Sequence, residues 1–239
     1  MPGHRACIVL ISLVFLTSPA FSQINVEFDS IEGFSRIRFS EDVPFTRYEA
    51  VTHDGVSALH ILTDGSAGGL VLSEQFNVYD DPQITWRWNV AHVIAAGDLT
   101  KKEGDDYAVR IYVLFRFDPG EARLGTRLKY AAAKLIYGEY PPEGALNYIW
   151  ANQPRSPGFY PNAFSDRSMM IPVDAGSSLT GSWQTHGRNI VKDYRNAFGE
   201  DPPAYARIAV MGDSDNTGGH SEAWIDYVRV GPPGDHLTP

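Results

Sequence analysis

The sequence predicts an all-β fold: a two-sheet β-sandwich of jelly-roll type, with one or two short helices in its connections. Three observations predict it. Apolar and polar residues alternate at a period of two in segment after segment, the signature of strands with one buried face. Short Asp, Gly and Pro clusters separate these segments: Asp54-Gly55, Asp64-Gly65, Asp80-Asp81-Pro82, Asp118-Pro119-Gly120 and Pro141-Pro142. A sustained strand–helix–strand alternation, which a parallel doubly wound sheet requires, is missing.

The clearest strand is Asp106–Phe117. Val109, Ile111, Val113, Phe115 and Phe117 line one face, and Ala108, Arg110, Tyr112, Leu114 and Arg116 the other. Gln83–Ala91 sets Ile84, Trp86, Trp88 and Val90 on a core face, with Thr85, Arg87 and Asn89 opposite. Ser57–Leu62, Gly69–Leu72, Met169–Val173, Tyr205–Met211 and Ala223–Val230 complete the expected strands. Helical spacing marks two segments. One is Leu124–Tyr137, through Leu128, Ala131, Ala132, Leu135 and Ile136. The other is Gly187–Phe198, through Ile190, Val191, Tyr194 and Phe198, with Gly199 suited to the C-cap.

The first 22 residues read as an export signal. His4 and Arg5 give a basic start, and Ala6–Leu16 an apolar run of the usual ~7–15 residues. Small residues at Ala20 and Ser22 then suit a signal peptidase, which places the mature start near Gln23 and leaves one domain over 23–239. The run is shorter than the ~20 residues of a spanning helix, so no membrane-spanning segment is expected after cleavage. The one cysteine, Cys7, precedes the apolar run, which argues against a lipid anchor and leaves a mature chain without disulfides. A domain of this length buries a core without them. An exported, periplasmic protein is the expectation.

The chain carries 20 Lys+Arg against 29 Asp+Glu, a formal net charge of −9, and loses one more positive charge with Arg5. That balance argues against nucleic acid or anionic lipid as a partner. The familiar nucleophile elbow, zinc helix and phosphate loop motifs are missing, and the histidines do not cluster in sequence.

Candidate site residues come from two stretches and one strand. Met211–Gly219 holds Asp213, Asp215 and Asn216 among two hydroxyls and three glycines. It reads first as an Asx-type turn, then as a hard-cation or ligand loop. Asn147–Pro154 places Tyr148 and Trp150 in a polar, Pro-bounded context that suggests a loop, where an indole packs well on the C–H face of a sugar. Arg110 shares a strand face with Asp106, but four residues of strand put them ~13 Å apart. Arg110 must therefore be held from another strand, and Asp213 and Asp215 are the expected acids. Arg110, Asp213 or Asp215, and Trp150 are expected to meet in one pocket.

Several stretches in order resemble the DUF3047 family of exported bacterial proteins of unknown function. They are Thr85–Trp88, Asp105–Val113, Asn147–Trp150, Arg188–Tyr194, Phe198-Gly199 and Asp213–Thr217. The resemblance implies export and a family boundary, and supplies no catalytic residues. A weaker resemblance, to carbohydrate-binding jelly rolls, lies in Trp224–Val230 and Val26–Asp29. It implies that the two chain ends lie side by side and that Glu27, Asp29 and Asp226 hold a structural calcium. Together these readings point to a non-catalytic glycan- or envelope-binding domain. The rival class is a carbohydrate-active enzyme, a glycoside hydrolase or polysaccharide lyase, working through Asp, Arg and Tyr side chains.

Overall fold

The computed structural model describes residues 23–120 and 140–234, together with 124, 125, 127, 130 and 131. The expected export signal and most of the expected helix Leu124–Tyr137 lie outside the described residues. None of the described helices is long and apolar enough to cross a membrane.

Among the described residues, fourteen strands form two sheets. In chain order they are β1 (Ile24–Val26), β2 (Phe34–Ile37), β3 (Arg47–His53), β4 (Val56–Asp64), β5 (Gly69–Leu72), β6 (Phe76–Asn77) and β7 (Gln83–Val90). Then follow β8 (Tyr107–Phe115), β9 (Gly144–Ala151), β10 (Tyr160–Asn162), β11 (Ser165–Ala175), β12 (Gln184–Asn189), β13 (Tyr205–Asp213) and β14 (His220–Gly231). The first sheet runs β12-β7-β14-β4-β3, and β1 pairs with β14. The second runs β10-β11-β9-β8-β13-β5-β2, and β6 pairs with β13. All pairings are antiparallel except β9 with β11. The two-sheet sandwich is thus present, and the chain ends lie together: Ile24–Val26 pairs with Val228–Val230.

The core sits between the sheets. Ile84, Trp86, Trp88 and Val90 of β7 face Val109, Ile111, Val113 and Phe115 of β8, all fully buried. Aromatic rings knit the two layers. Trp86 stacks on Tyr148 at 4.9 Å, and Trp88 lies 6.2 Å from Trp150. Such rings bury the largest apolar areas in any core.

Two expectations need correction. The segment around Trp150 is the central strand β9, in which every residue is buried. Trp150 is 0% exposed and donates its indole N–H to the Gly176 carbonyl at 3.0 Å. The polar residues and Pro154 that suggested a loop lie just past the strand's end. The helix is shorter than its periodicity implied. Gly187, Arg188 and Asn189 extend β12 against Thr85, Ile84 and Gln83, and the helix spans Ile190–Phe198. Asn189 caps it by accepting from the Lys192 N–H, and Gly199 closes it in the left-handed conformation at φ 72°. Sheet pairing overrides helical spacing for those first three residues.

Trp150→Ala should cost about 3–5 kcal/mol, the usual loss for a large aromatic removed from a core. Chemical denaturation of wild type and variant checks this. A loss below about 1 kcal/mol would mean that the ring is not packed as described.

Candidate functional site

The two outer faces of the sandwich differ. On the second sheet, Arg110, Asn147, Ile149, Met170, Ala209 and Met211 are all buried. The connections cover them: Leu99, Tyr107, Ile149, Ala151 and Met170 form a second small core. Asn152 clamps these connections, accepting from the Ile94 N–H and donating to the Asp106 carbonyl.

Beneath this cover lies the predicted acidic cluster. A register shift between Met211 and Asp213 sets Asp213 opposite Tyr107, where it accepts the Tyr107 N–H at 3.1 Å and forms an ion pair with Arg110. Gly212 makes the shift possible, because a Cβ there would meet the Ala108 carbonyl at 2.6 Å. Asp105 lies 3.7 Å from the Arg110 guanidinium and is fastened by the Asn162 amide. Asp106 accepts the N–H groups of Asn216 and Thr217, so it holds the 213–217 loop in place. Of the expected site residues, then, Arg110, Asp213, Asp215 and Asn216 do converge. Tyr148 and Trp150 do not join them. They stand on the inner face of β9, with the sheet between them and Arg110, and the Tyr148 hydroxyl donates to Asp193 at 3.0 Å.

Charge in this cluster is unbalanced. Burial is the largest influence on Arg110 and works against its charge, but Asp213, Tyr112, Asp105 and Tyr107 together outweigh it and hold the guanidinium charged. Burial pushes the Asp213 carboxyl well above the usual carboxylate range, with Arg110 opposing and Asp105 and Asp106 adding to the rise. Burial and Asp106 raise Asp215 as well. One oxygen from each of Asp106, Asp213 and Asp215 lies within 4.8 Å of the others, so these three could hold a divalent cation. Glu27, Asp29 and Asp226 do not form such a group. Glu27 is paired with Arg229 at 2.8 Å and Asp226 with Arg87 at 2.9 Å, and Asp29 is exposed.

The first sheet's outer face is open, and its aromatic residues were not singled out as a site from the sequence. Ala223 and Ile225 point into the core, so Trp224 points outward. It stands across from His60 on one side and Asn89 on the other. His53 stacks on its indole at 3.9 Å and 3°, and His60 at 5.4 Å and 9°. Trp183 meets the far side of this group, 5.9 Å from His53, donates its indole N–H to Asp54 at 3.2 Å, and carries the Arg87 guanidinium over its ring at 4.9 Å. A bulge between Ile225 and Tyr227 sets Asp226 beside Arg87, the re-aiming that bulges commonly provide. Trp183, His53, Trp224 and His60 thus form a continuous, partly exposed aromatic cluster. The signal was present in sequence: Trp224 alternates with Ala223 and Ile225, and the histidines occupy outward positions on β3 and β4.

Architecture and site define the class first: a β-sandwich domain with one covered face and one open aromatic face. Residues 32–229 match the model of a protein family of unknown function, DUF3047, and the chain belongs to that family. No curated protein matches it. Among solved structures, the chain is similar to the family 11 carbohydrate-binding module of a cellulosomal cellulase of Clostridium thermocellum, with TM-score 0.44, 8% identity, 92% of this chain and 99% of that one covered. It is similar to the K1 cleaved adhesin domain of Lys-gingipain from Porphyromonas gingivalis W83 at TM-score 0.41 and 10% identity, over 89% and 99% of the two chains. A third is the metal-free lectin I-B4 of Griffonia simplicifolia, at TM-score 0.39 and 11% identity, over 87% and 98%.

The acidic cluster generates a pH prediction. Asp213 and Asp215 hold protons to higher pH in the folded chain than in the unfolded one. Their contribution is therefore full below the ordinary carboxylate range, near pH ~4, and is lost as pH rises through the raised values. Asp215→Asn should raise the melting temperature at pH 7 and shrink the wild type's gain on acidification. Melting curves at pH 4 to 8 for both proteins check this. A variant that melts lower than wild type at pH 7 would show that Asp215 is not repelled there.

Proposed function

We propose that this is an exported, periplasmic glycan-binding domain that holds sugar rings on the open face of its first sheet. The observation that carries the reading is the cluster of Trp183 and Trp224 with His53 and His60, flanked by Arg87 and Asp226. Indole faces offer a flat apolar surface for the C–H groups of a pyranose, while the tips of indoles, imidazoles and guanidinium take its hydroxyls. Large aromatics left open on a sheet in this way mark an interaction surface more often than chance exposure does. The acidic face would be a poor alternative for such a ligand, because connections cover it.

Binding is tested by co-sedimentation with insoluble polysaccharides and with purified peptidoglycan sacculi. Trp224→Ala should cut retention at least tenfold, and Trp183→Ala by a smaller factor. Because Trp224 is only half-buried, its removal should cost less stability than a core truncation, about 1–2 kcal/mol. Unchanged retention in the Trp224→Ala protein would rule out this face.

Export rests on the basic start and short apolar run of residues 4–16 followed by Ala20 and Ser22. The protein recovered from the periplasm of expressing cells should have the mass of a chain beginning near Gln23. Recovery of the full-length chain in the membrane fraction would overturn it.

A further inference from the structure

The two indoles of the open face are held in different ways. Trp224 lies within β14, paired to His60 of β4 on one side and to Asn89 of β7 on the other. Strand alternation sets its outward direction, which cannot change without breaking the sheet pairing. Trp183 is less constrained. It stands just before Gln184, the first paired residue of β12. The connection that leads to it turns at Gly176 and Gly181, which take left-handed conformations at φ 69° and 76°. The Gly181 N–H donates to the Val90 carbonyl at 2.8 Å and brings that connection to the end of β7. Side chains then set the indole. His53 meets it at 5.9 Å, the Arg87 guanidinium lies over its ring at 4.9 Å, and the Asp54 carboxylate accepts its N–H at 3.2 Å. The last of these is the directional contact.

Asp54 reaches that position from a hairpin turn. Asp54 and Gly55 join β3 to β4, with His53 paired to Val56. Both take positive φ, 52° and 81°, as in a type I′ turn, where Asp, Asn and Gly all serve at the first position. The turn therefore asks for no carboxylate in particular. What Asp54 adds is an acceptor: its Oδ2 takes the Trp183 N–H and lies 3.6 Å from the His53 Nε2. One oxygen thus touches two rings of the aromatic cluster.

We infer that Asp54 is the positioning residue of the open face: its carboxylate holds the Trp183 indole beside the stack of His53 on Trp224, and so sets whether a ligand meets one indole or two. This rests on the glycan-binding reading above and deepens it by naming what assembles the site. Asp54 acts through Trp183 and need not touch a sugar.

Substitution separates this role from that of the turn. Asp54→Gly keeps the positive φ and removes the acceptor. Asp54→Asn keeps both, since an amide oxygen accepts an indole N–H and Asn-Gly favours this turn. Trp183→Phe removes the donor and leaves the turn untouched. Two readouts follow each protein. One needs no ligand: the Trp183 indole N–H signal in a proton–nitrogen correlation spectrum, assigned by its absence from Trp183→Phe, and its rate of exchange with solvent. The other is retention on insoluble xylan, cellulose and chitin and on purified peptidoglycan sacculi. Asp54→Gly should melt close to wild type, shift the Trp183 signal, speed its exchange and lower retention about three- to fivefold, the worth of one hydrogen bond. Asp54→Asn should match wild type in both readouts. Adding Asp54→Gly to Trp183→Phe should cost no further retention, because the two residues act as one unit. An unshifted signal in Asp54→Gly overturns the hold on Trp183. A shifted signal with unchanged retention overturns its part in binding. Asp54→Asn as weak as Asp54→Gly assigns the effect to the negative charge beside His53 and overturns the hydrogen bond, as does a further loss in the double variant. Failure of the wild type to bind any matrix overturns the glycan reading, and the Trp183 signal then still decides whether Asp54 holds the indole.

Discussion

The packing of indole and phenol rings between the two sheets is the contact on which the rest of the molecule depends. Trp86 and Trp88 of β7 reach across to Tyr148 and Trp150 of β9, and all four are fully buried. Because strand side chains alternate strictly, committing these residues inward commits their neighbours outward. Thr85, Arg87 and Asn89 are thereby delivered to the open face, and Asn147 and Ile149 to the covered one. The functional surface is in this sense the complement of the core.

Polar groups that the core cannot avoid are tied across the sandwich. The Trp88 indole donates to Asp174 at 2.7 Å, and the same carboxylate oxygen takes His186 from the edge strand β12. Tyr148 donates to Asp193, which Arg188 grips with two nitrogens. Tyr48 joins the sheets by donating to the Gly68 carbonyl and accepting from the Gly212 N–H. Arg110 and Asp213 instead join two neighbouring strands of the second sheet, β8 and β13, beneath the covered face. Such buried pairs add little net stability over an apolar core but are costly to break, which makes them fasteners of register more than sources of stability. The covered face holds the Arg110–Asp213 pair and the open face gathers aromatics. A binding role follows more readily for the second.

Much of this was legible in the chain. The period-two patterns around Trp86, Val109 and Ile208 identified central strands, and the inward direction of Trp86 and Trp88 followed from them. The impossibility of an Asp106–Arg110 pair along one strand correctly sent Arg110 to Asp213, because strand rise fixes that distance whatever the fold. Legibility failed at β9, where both faces are buried. Gly144–Ala151 mixes Asn, Tyr and Trp without alternation, and its polar C-terminal neighbours made it read as a loop. It failed again at β12, where three residues with helical spacing were claimed by pairing to β7. It failed most for the open face, where the outward positions of His53, His60 and Trp224 were legible but the strand order that sets β14 beside β4 was not.

The sequence by itself determined which residues alternate, where the chain turns, the sign of its charge and the family to which it belongs. These are local or summed properties, and strand geometry reads them directly. Only the tertiary structure decided which face each sheet leaves open, because that depends on where connections of no regular pattern come to rest. It brought His53, His60, Trp183 and Trp224 together from β3, β4, the approach to β12 and β14, since neighbours in a sheet are set by strand order and not by distance along the chain. It also separated Trp150 from Arg110. One sits on β9 and the other on the strand beside it, and the pleat turns their side chains to opposite sides of the same sheet.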